Sequence, residues 1–321
     1  MQATNQDITI FSKLQHTLFT PIPKGSIVFF RVVFGLILFW DVCVFFGNGW
    51  IDIYFINPIF YFKYYGFSWV HPWSGDGMYY HFVAMGFCAL CIACGFLYRF
   101  ASVFTFLLFT YMFLLDQTRY LNHFYLIVLV LCIMIFVPAN RAFSIDALLW
   151  PKLKEKPIHR WTVWLLRFQL GCVYIFGGIA KINPDWLRGE PMRQWLGDMA
   201  HFPVIGNFLA SEFTTWTFSY GGIFFDLGIV WLLLYKPTRT LGLLLVCFFH
   251  LTNVILFHIG IFPWLMLFAT LLFMPADWPH RVITTCFNDQ FKEVKSKSPM
   301  AQTIQISRWQ QKYGCWLILI L

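Results

Sequence analysis

Long apolar runs separated by short polar links fill the chain between residues 26 and 275. A helix needs about 20 predominantly apolar residues to cross a bilayer, and most of these runs approach that length. The pattern therefore predicts an all-α protein, a polytopic transmembrane helical bundle of about eight spans. The predicted spans lie at about 26–46, 78–97, 100–116, 122–138, within 164–189, and at about 218–235, 240–257 and 259–275.

The fifth run carries an ionisable residue at its end. Residues 168–180 are uncharged, Lys181 follows, and the helix-breaking pair Asn183-Pro184 comes next. One stripe at helical period joins Arg167, Gly171, Tyr174, Gly178 and Lys181. Small and polar residues in membrane helices face protein. A lysine at this depth is costly, so Lys181 is a candidate functional residue, although a stem in lipid with the amine at the interface is the commoner arrangement.

Composition supports the membrane assignment. The chain is 59% hydrophobic and 12% charged, whereas a soluble domain is about one quarter charged. The net charge of +8 therefore reflects topology, and no nucleic-acid-binding module or nucleic-acid partner is predicted. Nine cysteines give no disulfide framework. The Cys88-x-x-Cys91-x-x-Cys94 spacing lies inside an apolar run without His or carboxylate neighbours, which favours small buried hydrophobes over metal ligands.

Lysine and arginine lie mostly on one side of the predicted spans, and the positive-inside rule makes that side cytoplasmic. The N-terminus is then cytoplasmic, with residues 1–25 as a cytoplasmic lead and 26–282 as the transmembrane domain. Residues 283–321 form a basic tail that ends in the apolar run Gly314–Leu321. That run is too short to span, which predicts a truncated chain or a partial anchor.

This orientation gathers several polar residues at one depth. His123 and Lys181 fall at the extracytoplasmic ends of spans four and five, and His250 and Asn253 share one face of span seven. His258 follows span seven and is expected near the extracytoplasmic mouth of the same site. Because separate segments deliver these groups to the same level, we expect one active site that opens to the extracytoplasmic side.

Simpler interpretations of the same residues remain open. Asn122 is a plausible helix cap, His250 and Asn253 could make an ordinary interhelical hydrogen bond, and Asp226 is expected to pair with an intramembrane Arg or Lys. Haem or metal ligation by the histidines is also conceivable. No His-x-x-x-His or Cys-x-x-Cys-His motif is present, so no metal is predicted.

Several motifs follow one another in a recognisable order. They include Phe30-Arg31, Gly95–Arg99, Asn122–Leu126, Tyr174–Gly189, Phe249–Asn253 and Asp277–Pro279. Together they resemble the vitamin K-dependent gamma-carboxylase family, whose membrane part is called the HTTM domain. The likeness covers about 26–282. Animal members carry two adjacent lysines in the fifth-span motif, whereas this chain has Ala180 followed by Lys181. It also has no evident counterparts of their disulfide cysteines, and it stops before their large extracytoplasmic domain.

The resemblance implies an activity and its site. In the family, a lysine deprotonates reduced vitamin K (a naphthohydroquinone), O2 adds, and the strong base so formed takes a γ-proton from glutamate, which captures CO2. Lys181 matches that lysine, and His123 matches the histidine thought to assist the glutamate step. The residues expected to line the quinone site are Asn122, Tyr174, His250, Asn253, His258 and Trp186. The partners implied are a glutamyl protein or peptide and membrane lipid.

Two other functional hypotheses compete with a carboxylase-like activity. A membrane redox or transport protein of the same fold would bind a quinone or lipid without carboxylating anything. A haem-binding electron-transfer protein would show a Soret band.

Overall fold

The computed structural model describes residues 15–257 and 259–285. His258, the first part of the predicted lead (1–14) and most of the predicted tail (286–321) lie outside the described residues. Within the described part, almost all regular structure is helical, and a two-residue strand pair, β1 (Pro21–Ile22) with β2 (Ile158–His159), is antiparallel.

Eight apolar helices correspond to the eight predicted runs. They are α1 (Gly25–Gly47), α2 (Gly77–Cys94), α3 (Tyr98–Leu114), α4 (Asn122–Phe136), α6 (Arg160–Ala180), α10 (Glu212–Leu234), α11 (Arg239–Leu256) and α12 (Phe262–Thr270, continued as a 3-10 turn over Leu271–Phe273). By length and composition, α1, α2, α6, α10 and α11 are each long and apolar enough to cross a membrane. The prediction of an all-α helical membrane bundle is confirmed.

The links between the spans hold more structure than the sequence predicted. Residues 190–217 lie outside the predicted spans, yet residues 184–217 contain three short helices and the start of α10. The short helices are α7 (Pro184–Leu187), α8 (Glu190–Gly197) and α9 (Gly206–Leu209). A further short helix, α5 (Ile145–Leu149), lies between the fourth and fifth predicted spans. Helix α10 begins at Glu212 rather than near 218, because the Ser211 hydroxyl accepts the Thr214 N–H at 3.3 Å and caps the helix.

The chain forms two compact units. The first contains α1, α2 and α3. In this unit, α1 packs closely against α2 at Gly35. A Cβ added at Gly35 of α1 would lie 2.5 Å from the Ala93 nitrogen and 2.7 Å from the Ala89 oxygen, both backbone atoms of α2. Only glycine permits this approach of two helix backbones.

Basic side chains of the first unit bind backbone carbonyls. Arg31 is fully buried and donates to the carbonyls of Ala139 (3.4 Å) and Phe143. Three further pairs follow the same pattern: Lys24 with the Lys154 oxygen (2.5 Å), Arg99 with the Ile135 oxygen and Arg141 with the Pro157 oxygen. These bonds supply donors to backbone carbonyls in the helix ends and links of the first unit.

The second unit, residues 121–130 and 164–274, holds every candidate site residue that the structure describes. Helices α6 and α10 meet along the predicted small-residue stripe. A Cβ at Gly178 would lie 2.7 Å from Leu227 Cδ2 and 3.2 Å from Asp226 Cβ, and one at Gly171 would lie 3.5 Å from Val230. The prediction that this stripe faces protein is confirmed, and the close approach brings the end of α6 against Asp226.

Gly35→Ala tests the α1–α2 packing. We expect it to lower the free energy of unfolding by about 1–3 kcal/mol, because the new methyl group meets backbone that cannot rotate away. Gly228→Ala in α10 is the control, since a Cβ there meets nothing within 4 Å. It should be neutral or slightly stabilising. Thermal unfolding in detergent compares the two, and equal stability of both variants would contradict the packing argument.

Candidate functional site

The end of α6 carries a largely buried ion pair. Lys181 Nζ lies 2.5 Å from Asp226 Oδ2 of α10 and 3.3 Å from the Gly177 oxygen. The side chains are 22% and 7% exposed, respectively. The expectation that Asp226 pairs with an intramembrane cation is confirmed, and Lys181 is its partner.

Glycines make room for the pair. A Cβ at Gly177 would lie 3.3 Å from Asp226 Oδ2, and one at Gly222 would lie 3.8 Å from Lys181 Cδ and Cε. The contact at Gly177 is tight, so a larger residue there would press on the carboxylate, whereas the contact at Gly222 is an ordinary van der Waals one. The close contact between α6 and α10 therefore also sets the geometry of the pair.

Trp186 covers the lysine. Asn183 caps α7 by accepting the Trp186 N–H at 3.0 Å, and this cap turns the chain back after the break. The Lys181 ammonium then lies 5.3 Å from the centre of the Trp186 ring, within the range of a cation–π contact. Two hydrogen bonds with Ser219 hold Trp186: the indole N–H donates to the Ser219 carbonyl (2.9 Å), and the Ser219 hydroxyl donates to the Trp186 carbonyl (2.5 Å).

A second polar centre lies two helical turns earlier on the same stripe. The Tyr174 hydroxyl is 3.0 Å from His250 Nε2 of α11 and 3.4 Å from the Thr270 hydroxyl of α12. Thr270 in turn donates to the Met266 carbonyl at 2.7 Å. Tyr174, His250 and Thr270 are all at most 3% exposed, so these hydrogen bonds are shielded from solvent.

Aromatic rings surround this second centre. The Phe225 ring lies 5.9 Å from Tyr174 and stacks on Phe249 at 4.0 Å. Phe262 is 6.0 Å from the His250 ring and 6.0 Å from the half-buried His123 ring. Phe262 therefore lies against both histidines, and the surroundings of the Tyr174–His250 hydrogen bond are aromatic and apolar.

A cavity of about 520 Å³ opens beside the helix break. Its lining residues are Asp185, Glu190, Pro191, Arg193, Gln194 and Trp195. Arg193 is paired with Glu190 (2.9 Å) and Glu212 (2.7 Å), and the hydrogen bonds with Glu212 raise the pKa of Arg193 above its ordinary value. Trp195 lies 6.1 Å from Trp186, so the cavity adjoins the cover over Lys181.

The HTTM domain model matches residues 19–278, which is most of the chain. The chain belongs to the HTTM domain family. HTTM domains occur in vitamin K-dependent carboxylase-like membrane proteins. No solved structure matches the chain closely enough to count as similar.

In this HTTM protein, the predicted site residues fall into two groups. Lys181 contacts Trp186, and Tyr174 contacts His250, whereas His123 approaches His250 only through Phe262. No hydrogen bond or ion pair joins one group to the other within the described residues. Tyr174 of one group and Lys181 of the other lie on the same α6 stripe, two helical turns apart.

Asn122 and Asn253 lie apart from the ion pair. Asn122 is exposed and is the first helical residue of α4. The carbonyl of the preceding residue, Leu121, accepts the first hydrogen bonds of the helix, so Leu121 and not Asn122 is at the N-cap position. The expectation that Asn122 is the N-cap is therefore wrong. Asn253 is half-buried on α11, three residues after His250. Neither hydrogen-bonds to Lys181 or Asp226 in the described part of the chain.

Sequence reasoning did not place Asp226, Thr270 or Phe262 in the site. Asp226 could have been assigned to the site from the sequence. It is the single charged residue of the predicted sixth span, and the predicted spans offer few cations with which it could pair. Thr270 and Phe262 gave none, since a threonine or phenylalanine in an apolar helix is ordinary. Over residues 15–257 and 259–285, no three His, Cys, Asp or Glu side chains are grouped so that they could hold a metal ion.

A double-mutant cycle tests the ion pair. Lys181→Met alone leaves a buried carboxylate and Asp226→Asn alone leaves a buried ammonium, so each should lower the free energy of unfolding by about 3–5 kcal/mol. The double variant removes both charges and should recover about 1–3 kcal/mol of that loss.

Thermal unfolding in detergent measures the cycle. The exposed Arg193–Glu212 pair, replaced by Gln at both positions, is the control, and it should show no measurable coupling because solvent screens it. Additive effects at Lys181 and Asp226 would mean that the pair does not hold the helices together.

Proposed function

We propose that this HTTM protein is a γ-glutamyl carboxylase-like membrane enzyme, which couples oxygenation of a quinol to its epoxide with proton abstraction from glutamate and CO2 addition. The observation that carries the proposal is the buried Lys181–Asp226 pair on the same α6 stripe as the Tyr174–His250 hydrogen bond. The proposed base, Lys181, and the buried hydroxyl of Tyr174 thus lie on one stripe of α6.

The residues around His250 fit a quinol. Phe225, Phe249 and Phe262 supply flat apolar surface around the histidine. His250 Nδ1 is buried and has no hydrogen-bond partner among the described residues. A ring that carries hydroxyl groups would pair with this nitrogen and pack against the phenylalanines. The quinol, once bound, would supply the reducing equivalents that oxygen chemistry needs.

Lys181 is the proposed base. The ammonium of the ion pair cannot accept a proton, so Lys181 acts as a base only in its deprotonated form. When that amine takes a proton, the ammonium is restored 2.5 Å from the Asp226 carboxylate, and its charge is compensated where it appears. The apolar helices around the pair strengthen this interaction relative to water. Trp186 covers part of the lysine and so reduces its contact with water, which favours proton transfer from a bound substrate over exchange with solvent.

His123 is the proposed second proton-handling group. It is half-buried beside Phe262 at the start of α4, so it borders the ring-lined region while part of its surface stays accessible. A glutamyl peptide, O2 and CO2 are the other proposed reactants, and the site is proposed to open to the extracytoplasmic side with the N-terminus in the cytoplasm. Lipid surrounds the helices.

One observation favours the alternative, a quinone- or lipid-binding protein without carboxylase activity. Arg193 is the single cation that lines the cavity beside Trp186, and two glutamates already occupy it. Asp185 and Glu190 add negative charge to the same cavity. A glutamyl carboxylate would find no unpaired cation there, whereas a neutral ring or a cationic group would not be repelled.

Epoxide formation tests the proposed base. Purified protein supplied with a reduced naphthoquinone and O2 should form epoxide, and Lys181→Ala should lower the rate by about 100-fold or more, in the range of a lost acid–base group. Because Lys181→Ala leaves Asp226 unpaired, a Lys181→Met/Asp226→Asn variant is assayed beside it. Gly228→Ala should keep the normal rate. Normal turnover in a folded variant without Lys181 would disprove its role as the base.

Carboxylation is tested separately from oxygenation. We expect 14CO2 to enter a glutamyl peptide only when the quinol and O2 are both present, because the glutamate proton is removed by the base that oxygenation generates. Scintillation counting of the recovered peptide measures the product. Epoxide without labelled peptide would favour the alternative function for this chain, and an aspartyl peptide is the matched control.

A further inference from the structure

We propose that Tyr174, His250 and Thr270 form a hydrogen-bonded switch, which lets one buried histidine nitrogen bind an aromatic diol in one state and the corresponding dione in the other. The inference rests on the proposed quinol site and deepens it. It adds Thr270 to that site and names two ligand forms that the site accepts. Three buried contacts within the second unit support it.

The Thr270 hydroxyl lies at one end of the hydrogen-bond chain, and its own hydrogen is already used. Thr270 Oγ1 donates to the Met266 carbonyl at 2.7 Å, so toward Tyr174 it acts as an acceptor. The Tyr174 hydroxyl also faces His250 Nε2 at 3.0 Å. A tyrosine hydroxyl has one hydrogen, so Tyr174 donates either to Thr270 or to His250, and the two choices exclude each other.

Each choice fixes the tautomer of His250. If Tyr174 donates to Thr270, it accepts the Nε2–H of His250, and His250 Nδ1 is left as an acceptor. If Tyr174 donates to Nε2, the imidazole proton sits on Nδ1, which becomes a donor. Both arrangements are neutral and hold the same number of protons. Passing from the first to the second rotates the Tyr174 O–H, releases the Nε2 proton to water and takes one proton from water at Nδ1, so no covalent bond to a ligand forms or breaks.

The ligand-facing atom of the switch is His250 Nδ1. It is buried and makes no hydrogen bond within the described part of the chain, in a side chain that is 1% exposed. A buried polar atom left unpaired is costly, so a ligand that pairs with it gains affinity. A diol hydroxyl suits the acceptor state of Nδ1, and a dione carbonyl suits the donor state.

The neighbouring rings restrict the ligand class. Phe249 and Phe262 lie 5.2 and 6.0 Å from the His250 ring, so a flat ring beside Nδ1 would contact them. An acyclic diol would gain the hydrogen bond without this packing. The combination selects an aromatic diol and its oxidised form.

Thr270→Val tests the switch, with Thr270→Ser as the matched control. Valine keeps the volume but removes the acceptor, so Tyr174 must donate to His250 and Nδ1 stays a donor. We expect the Kd for a reduced naphthoquinone to rise about tenfold, while the Kd for the oxidised form stays within about twofold. Thr270→Ser keeps a hydroxyl and should keep both values. Anaerobic equilibrium dialysis of the detergent-solubilised protein measures them.

A second measurement needs no ligand. Solid-state 15N NMR of histidine-labelled protein, with His250 assigned by comparison with His250→Gln, reports which ring nitrogen carries the proton. Thr270→Val should move His250 to the Nδ1–H tautomer, and Thr270→Ser should not.

The outcomes separate the switch from the proposed function. An unchanged tautomer in Thr270→Val, or an equal loss of affinity for both forms, would overturn the switch, even if the wild type forms epoxide. Binding of neither naphthoquinone form by the wild type would overturn the ligand class together with the proposed function. A selective loss of diol affinity with a shifted tautomer would support the switch, whether or not a glutamyl peptide is carboxylated.

Discussion

A lysine and an aspartate in apolar helices must neutralise each other, and the second unit is built to meet this constraint. Neither charge is tolerable alone away from water, so Lys181 at the end of α6 and Asp226 within α10 fix how the two helices meet. The glycines at 177 and 178 follow from the same requirement, because larger side chains would push the helices or the charges apart. The helix break after Lys181 completes the arrangement by folding Trp186 over the amine.

The site combines rigid and adaptable parts. Two hydrogen bonds from side chains to backbone carbonyls hold Trp186 in place, and close glycine contacts between α6 and α10 hold the ion pair in one geometry. The Tyr174 hydroxyl, in contrast, has two acceptors within reach. In the proposed switch, rotation of its O–H bond accompanies exchange of the His250 imidazole proton between Nε2 and Nδ1, and the buried Nδ1 changes from acceptor to donor. The proposed chemistry, which passes a ligand through two redox forms, would benefit from this division, since the proposed base stays fixed while the proposed histidine anchor adapts.

Much of this architecture was predictable from the sequence, and the reasons are specific. Apolar length identified the eight helices, and helical period placed Gly171, Tyr174, Gly178 and Lys181 on one protein-facing stripe. The partner of Lys181 was predictable in kind but not in identity, because pairing across helices depends on their relative rotation. The capped start of α10 and the short helices of residues 184–211 were missed, since amphipathic segments of four to eight residues carry little periodic signal. Thr270 and Phe262 act only through tertiary neighbours, which no local pattern reveals.

The basic side chains of the first unit have a consequence for how the protein is made. Lys24 is synthesised long before residue 154, whose carbonyl it binds, and Arg31 precedes its partners at residues 139 and 143 by a similar distance. Until those residues emerge from the ribosome, water or lipid headgroups must solvate both cations. Lys24, one of the charges predicted to orient the first helix during insertion, later fastens that helix to a loop translated after the fourth. The predicted topology and the tertiary structure therefore both draw on this one lysine, so a substitution at Lys24 would disturb an early and a late step of biogenesis together.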